Sequence, residues 1–304
     1  MGIIFCMFAL ATPLIAQEMN VPLGCKAVPG AKAGDGCYAD RVIHEKTGIE
    51  LVLIPSGSFN MDTAGWTKGT RKTVTVTLAK PFYMGATTVT NKQYKQFVSS
   101  SGYDGTVDCD PGYDLYLRHL RVPPVSIMPS GDNYPIVWVS WKNAKAFCGW
   151  AGDLDLPSES EWEYACRAGT KGLFNFGDDK KDLDKYAWTQ WNSKFSTQPV
   201  GQLMPNSWGL YDMHGNVWEW CLDDELPRDL APPADGSAYV ADKSGFKGLN
   251  THPFPVIEGT MTKDLRGGSW SSTLCYAVSS FERFNASPVM AANDFGFRVV
   301  LRLK

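Results

Sequence analysis

The stretch Asn206-Ser-Trp-Gly-Leu-Tyr-Asp-Met-His-Gly-Asn-Val-Trp-Glu-Trp220 places a glycine turn beside an amide, a carboxylate and two indoles. A buried glutamate next to an asparagine and to turn carbonyls can form a calcium site, because Ca²⁺ takes oxygen ligands. In the alternative interpretation, Glu219 only accepts hydrogen bonds from backbone N–H groups. The residues by themselves favour this second interpretation. Asn216 and Glu219 are therefore candidate calcium ligands with a structural alternative.

Two further motifs bracket the last forty residues. Leu265-Arg-Gly-Gly-Ser-Trp270 stands at one side and Gly296-Phe-Arg298 at the other, with Cys275 in the polar insert between them. Adjacent glycines permit a turn with close backbone approach. Arg298 is expected to pair with a buried carboxylate. The insert is where chemistry or recognition is expected.

Composition indicates a globular protein with many loops. The 304 residues are 44% hydrophobic and 20% charged, with a formal net charge of −3 that provides no basic field for nucleic acid. Eleven tryptophans and 29 glycines favour an irregular fold held together by aromatic clusters. Short strands, few helices and no recognisable linker predict one α+β domain.

Local patterns predict the individual elements. Strands are predicted at Glu50–Ile54, Thr73–Thr77, Phe82–Met84 and Ile136–Val139. Capping residues predict three helices, which follow Thr90, Ser140 and Ser158. Long loops are predicted over 101–134 and 222–262.

The N-terminus resembles a secretory signal. Gly2 to Ala16 form an apolar run that is too short for a membrane span and ends in small residues. A buried strand is the alternative, and Leu23-Gly-Cys25 is a weaker indication of lipidation because Pro22 fits that site poorly. We expect a signal peptide over 1–17, an irregular extension over 18–45, one domain over 46–304 and an extracytoplasmic (periplasmic or secreted) location.

Export would permit disulfide bonds. Loss of Cys6 with the signal leaves seven of the eight cysteines, so at least one is unpaired within the chain. Cys25 and Cys37 flank a glycine-rich loop and are the expected bridge. Cys109 lies in a predicted loop without an obvious partner. Buried free thiols are expected for the cysteines inside apolar segments, namely Cys148, Cys166 and Cys221.

Taken together and in order, the motifs identify a family. Besides those above, they include Gly48-Ile-Glu-Leu-Val-Leu-Ile-Pro-Ser-Gly-Ser-Phe59, Pro135-Ile-Val-Trp-Val-Ser-Trp141 and Leu156-Pro-Ser-Glu-Ser-Glu-Trp-Glu-Tyr-Ala-Cys-Arg-Ala-Gly169. From about residue 46 the chain resembles the formylglycine-generating enzyme (sulfatase-modifying factor) family. The resemblance implies an irregular, loop-rich variant of the C-type lectin-like fold that often binds calcium. It also implies chemistry at two C-terminal cysteines, which bind Cu(I) and use O₂ to oxidise a substrate cysteine.

This chain departs from the family at one of those cysteines. The first family cysteine lies two residues after the aromatic of the Gly-Gly-Ser motif, and that position is Ser272 here. Counting back from Gly-Phe-Arg places the second at Cys275. A serine hydroxyl is too hard a ligand to replace a thiolate for Cu(I). Ser269 and Trp220 match active-site residues of the family, and Asn216 with Glu219 match a calcium-site region.

Two functions follow as hypotheses. The first is an exported, divergent member that binds a protein or small-molecule ligand through its C-terminal surface. The residues expected to contact that ligand are Ser272, Tyr276, Phe281, Arg283 and Phe284. The alternative is a copper- and O₂-dependent oxidase that uses Cys275 with Ser269 and Trp220. A purely structural envelope component is a third reading. Calcium is the expected cofactor, and copper belongs only to the oxidase hypothesis.

Overall fold

The structure is a computed structural model that describes residues 19–62, 73–104, 131–227, 230–241 and 261–304. Its helices are α1 (Asn91–Ser101), α2 (Trp141–Ala151) and α3 (Glu159–Arg167). Its first strands are β1 (Cys25–Ala27), β2 (Arg41–His44), β3 (Glu50–Ile54), β4 (Gly57–Asp62), β5 (Thr73–Leu78) and β6 (Phe82–Gly85). The later strands are β7 (Ala187–Trp188), β8 (His214–Gly215), β9 (Trp218–Asp224), β10 (Lys263–Arg266), β11 (Arg283–Ala286), β12 (Phe295–Gly296) and β13 (Val300–Arg302).

A five-stranded antiparallel sheet in the order β1-β2-β3-β6-β13 forms the first half of the core. The continuous apolar run of β3 is explained by burial on both faces. Leu51 and Leu53 pack into one hydrophobic cluster, whereas Val52 and Ile54 pack into another on the opposite face. Alternate residues of a strand point to opposite faces, so one apolar run supplies both clusters.

A second sheet, in the order β11-β10-β9-β12, positions the C-terminal motifs. Strands β9 and β10 are antiparallel with Arg266 opposite Glu219, while β12 runs parallel to β9 with Phe295 opposite Trp218. The end of β10 and the starts of β9 and β12 therefore meet at one edge. The segment that follows β10 and the residue that precedes β12 are brought together there.

The helix starts are as predicted. Thr90, Ser140 and Ser158 each accept a hydrogen bond from the backbone N–H three residues on, and the residue at that position bonds back to the cap. These reciprocal bonds satisfy two of the N–H groups that every helix start leaves unpaired. The capping boxes predicted from Thr90 with Gln93 and from Ser158 with Glu161 are confirmed.

Two local expectations fail. Ile136–Val139 does not form a strand, because Trp138 has a left-handed backbone with φ of 59° that interrupts an extended run. Residues 19–45 of the expected irregular extension are less irregular than predicted, since β1 and β2 lie within them and join the first sheet. The first difference arises from pairing with a distant part of the chain. The N–H of Trp138 donates to the carbonyl oxygen of Ala292 at 2.8 Å.

The thiols are arranged differently from expectation at one point. Cys25 is a free cysteine, so the expected Cys25–Cys37 bridge is wrong. Cys148, Cys166 and Cys221 are buried free thiols, as predicted. Burial raises the pKa of Cys148 and of Cys166 to about 12, so both remain protonated and inert at neutral pH. Cys109 and the predicted signal segment lie outside the described residues.

The α+β, loop-rich class predicted from the sequence is confirmed. Much of the predicted loops 101–134 and 222–262 lies outside the described residues, and the second of these begins inside β9. None of the helices in the described part of the chain combines the length and apolar content needed to cross a bilayer.

Candidate functional site

Glu219 and Arg298 form a buried ion pair that joins the Asn206–Trp220 motif to the Gly296-Phe-Arg298 motif. The guanidinium donates from Nε to Oε2 at 3.0 Å and from Nη2 to Oε1 at 2.8 Å. The indole of Trp162 donates to the same Oε2 at 2.7 Å. Arg298 also donates to the carbonyl oxygens of Gly85 and Tyr211, each at 2.7 Å. The predicted pairing of Arg298 with a buried carboxylate is confirmed.

These contacts decide whether Asn216 and Glu219 fit a calcium ion. Both oxygens of Glu219 already accept bonds from Arg298 or Trp162, and the side chain is fully buried. The Asn216 amide oxygen accepts from the N–H of Gln198 at 3.0 Å, and its nitrogen donates to the Gln198 carbonyl oxygen at 3.1 Å. Calcium takes six to eight oxygen ligands. The pair does not fit calcium, and the described residues contain no group of three His, Cys, Asp or Glu side chains placed to hold a metal ion.

The turn after β10 fixes the next residues of the site. Gly267 and Gly268 have φ of 96° and 72°, which residues with a side chain rarely adopt. A Cβ atom on Gly268 would lie 2.5 Å from the carbonyl oxygen of Ala277 and 2.6 Å from Cγ1 of Val278. The double glycine therefore lets the turn press against residues 277 and 278, which orients Ser269 toward the start of β12.

Ser269, Ser271 and Asp294 form a small polar cluster at this edge. The hydroxyls of Ser269 and Ser271 donate to Asp294 Oδ2 at 2.8 and 3.0 Å, and they lie 2.9 Å from each other. Burial raises the pKa of Asp294, and the two hydroxyl bonds partly offset that effect. Ser269 is fully buried, Asp294 is half-buried and Ser271 is exposed. The cluster thus connects the interior with the surface.

Ser272 and Cys275, the two positions compared with the family cysteines, have separate environments. The Ser272 hydroxyl accepts a hydrogen bond from the N–H of Ser269 at 3.0 Å, inside the turn. Cys275 begins a short 3₁₀ helix and packs against an apolar cluster that includes Phe174 and Val278. The serine thus closes a turn, and the cysteine lies against an apolar cluster.

A second loop lies against this turn. The N–H of Gln190 donates to the Ser272 carbonyl oxygen at 3.2 Å, and the Trp191 indole donates to the Thr273 carbonyl oxygen at 3.1 Å. The Ser193 hydroxyl donates to the Trp270 carbonyl oxygen at 3.2 Å. Residues 190–193 and 270–273 consequently form one braced surface beside Asp294.

Comparison with known proteins agrees with this geometry. The family model for the sulfatase-modifying factor enzyme 1-like domain matches residues 40–303. The chain belongs to this family. It is 30% identical over 301 residues to the formylglycine-generating enzyme of Mycobacterium tuberculosis (strain ATCC 25618 / H37Rv), covering 83% of this chain and 97% of the relative. It is 29% identical over 301 residues to the inactive C-alpha-formylglycine-generating enzyme 2 of Mus musculus, covering 82% of this chain and 84% of that relative.

A solved structure of another relative has the same fold. PvdO from Pseudomonas aeruginosa superposes with a TM-score of 0.66 at 29% identity, covering 85% of this chain and 96% of that one. The family assignment made from the ordered motifs is therefore confirmed. It includes proteins that are described as enzymes and proteins that are described as inactive.

Within this family member, the other predicted site residues lie in several places. Trp220 is fully buried, and its indole donates to the Val139 carbonyl oxygen at 2.9 Å. Phe281 is also buried, and Tyr276 is half-buried. The Arg283 guanidinium donates to Glu159 at 3.0 Å. Phe284 packs on Trp218 with ring centroids 5.5 Å apart. The predicted ligand residues are thus not gathered into a single open surface.

Sequence reasoning missed Asp294 and Trp191. Asp294 stands two residues before Gly296, and its position beside a recognised anchor could have marked it. Its contact with Ser269 spans 25 residues and depends on the parallel pairing of β12 with β9. Trp191 lies in a stretch without periodicity, so nothing local indicated that its side chain would be exposed beside the site.

Proposed function

We propose that this chain is a ligand-binding member of the sulfatase-modifying factor family, and that it does not perform copper-dependent oxidation. The observation that carries this proposal is the different environment of the two positions compared with the family cysteines. Ser272 is held in the turn by the Ser269 N–H, while Cys275 lies against apolar side chains.

The chemistry of the donors supports this. Cu(I) prefers soft thiolate ligands, and a serine hydroxyl is hard and remains protonated at neutral pH. The buried thiols are held elsewhere in the fold. Cys148 lies in α2, Cys166 in α3 and Cys221 in β9. A single thiol beside a hydroxyl makes a weak copper site.

Two features support a binding role at the turn. The Ser269–Ser271–Asp294 cluster reaches the surface, where a ligand can contact it. A relative that covers most of the chain is described as inactive, so the family retains this fold without the family's oxidation. As a further part of the proposal, the apolar segment Gly2 to Ala16 directs the protein out of the cytoplasm.

A copper and peptide assay tests the proposal. Purified protein is incubated with Cu(I), O₂ and a peptide containing Cys-x-Pro-x-Arg, and aldehyde formation is followed by mass spectrometry. We expect no aldehyde, with the Mycobacterium tuberculosis relative as the positive control. The Cys275→Ser variant is run in parallel. Aldehyde that forms with the native chain and disappears in this variant would establish the oxidase alternative and overturn the proposal.

A further inference from the structure

We propose that a protein partner docks on an apolar rim formed by Trp191, Phe195 and Leu274, and that it places a lysine or arginine side chain against Asp294. This inference rests on the proposed function, because it assigns a class of ligand to the same surface.

The rim contains an unusual concentration of exposed apolar side chains. Trp191 is 75% exposed, Phe195 66% and Leu274 49%. They are three of the eight exposed large hydrophobic residues in the described part of the chain. Single exposed apolar residues are ordinary, but a group of them beside a polar site is typical of an interaction surface. Tryptophan and phenylalanine are also enriched where proteins bind one another.

The rim is held in place before any partner binds. The Trp191 indole donates to Thr273, the residue beside Leu274, so its ring is fixed against the 270–273 turn. Ser193 bonds to the Trp270 carbonyl oxygen, and Gln198 donates to the Ser193 carbonyl oxygen at 2.7 Å. An apolar side chain that is already fixed loses little conformational entropy on binding. The bracing therefore favours recognition.

Backbone strain concentrates at the same loop. Lys194 and Phe195 are consecutive residues with φ of 57° and 58°. A left-handed conformation costs a residue with a side chain roughly 1–2 kcal/mol. The strained Phe195 remains two-thirds exposed, so its burial within this chain is slight. Strain without an internal benefit is typical of functional loops.

Asp294 gives the rim its charge preference. Most buried carboxylates in the described residues have a cation partner, as Glu219 has in Arg298 and Glu163 has in Arg266. Asp294 forms no ion pair with a described lysine or arginine, and the hydroxyls of Ser269 and Ser271 both donate to its Oδ2. Asp212, Asp223 and Asp264 likewise form no ion pair with a described lysine or arginine, but they are nearly inaccessible to solvent. Asp294 is half-buried, so a ligand cation can reach it.

The shape of the rim favours a protein over a small molecule. Small ligands bind in concave sites that bury most of their surface. Side chains that are half to three-quarters exposed project outward and can enter pockets on another surface. The separation between the polar cluster and Leu274 also fits a single interface. Ser271, which bonds Asp294, is three residues from Leu274, at most about 11 Å along an extended chain. A protein interface covers about 800 Å² on each partner.

Selection from a displayed random peptide library tests the inference on the intact chain. We expect enriched peptides to carry a lysine or arginine within two positions of an aromatic or branched aliphatic residue. Selections on Phe195→Asp and Leu274→Asp proteins should lose this enrichment. Leu23→Asp is the matched control, because Leu23 is 96% exposed but belongs to the N-terminal extension. Its selection should resemble that of the native chain.

Titration of one enriched peptide and of its Lys→Gln analogue then isolates the charge contact. Asp294→Asn should weaken binding of the lysine peptide about tenfold, as expected for one charge-assisted contact. Binding of the Lys→Gln analogue should not change. The inference is overturned if no peptide is enriched. It is also overturned if the enriched peptides are acidic or if the rim variants do not affect their enrichment. A glycan array separates the two proposals. Glycan binding that Asp294→Asn abolishes would retain the ligand-binding function and reject the protein partner.

Discussion

Glu219 shows how one side chain can serve structure at a position where a metal was expected. Its two oxygens receive three donors from Arg298 and Trp162, so the carboxylate balances a fully buried guanidinium. Glu219→Gln would leave that positive charge buried without a counter-charge. We expect it to lower the free energy of unfolding by about 3–5 kcal/mol. Urea denaturation measures this, with the exposed Asp184→Asn as a control that should change little.

The same carboxylate gives a prediction about calcium. Because its oxygens are occupied, calcium should not act through Glu219, so any difference in melting temperature between millimolar Ca²⁺ and a chelator should be the same in the native chain and in Glu219→Gln. A ligand present at 100 times its Kd stabilises a folded protein by about 2.7 kcal/mol, which thermal denaturation would detect. A rise in melting temperature with Ca²⁺ that Glu219→Gln removes would show that the ion displaces Arg298. A rise that this variant retains would place the ion elsewhere.

At the scale of elements, the turn between β10 and the 3₁₀ helix at Cys275–Val278 is specified by close packing as well as by dihedral angle. Gly268 and Gly102 have nearly equal φ, 72° and 70°, but a Cβ on Gly102 would meet nothing within 4 Å. Gly102→Ala should therefore cost about 1 kcal/mol for strain alone. Gly268→Ala adds a clash with Ala277 and Val278 and should cost at least twice as much.

Chemical denaturation of the two glycine variants compares these costs. Because Ser269 follows Gly268 directly, the clash should also displace its hydroxyl from Asp294. Gly268→Ala should consequently weaken binding of a peptide selected on the native chain, whereas Gly102→Ala should not. Equal losses of stability in both variants would show that the backbone angle alone accounts for the double glycine.

Elements that depend on neighbouring residues were predictable from the sequence, and elements that depend on distant pairing were not. The three helix caps use residues three positions apart, so their pattern is visible in the chain. The interruption at Trp138 depends on a bond to Ala292, 154 positions away. Likewise, the sequence motifs identified Ser269 and Arg298. Only the pairing of β12 with β9 shows that Asp294 joins Ser269 and Ser271 in one polar cluster.

At the scale of the whole molecule, several buried acids make stability depend on pH. Desolvation raises the pKa of Asp223 to about 7 and that of Asp212 to about 6, and it also raises the pKa of Asp264 and Asp294. Burial lowers the pKa of His214 to about 4, so between its lowered and its ordinary pKa this histidine makes stability rise with pH, opposite to the acids. Acids with raised pKa values outnumber this histidine, so the folded state holds more protons than the unfolded state between about pH 4 and 7.

Stability should therefore be greatest near pH 4–5 and fall as pH rises through 7, because the unfolded chain releases these protons first. Each group contributes on the order of 1 kcal/mol per pH unit between its unfolded and folded pKa values. Asp223 contributes to the slope near pH 6.5 together with Asp264, whose pKa burial also raises well above its ordinary value. The Asp223 carboxylate accepts from the N–H groups of Glu159 and Tyr239 at 2.8 and 2.7 Å. Asp223→Asn should make that slope shallower in urea titrations, with the remainder due to Asp264, and should lower stability at every pH, since an amide accepts on only one atom. Asp184→Asn should leave the slope intact, and a slope that is unchanged in Asp223→Asn would assign the protons to other groups.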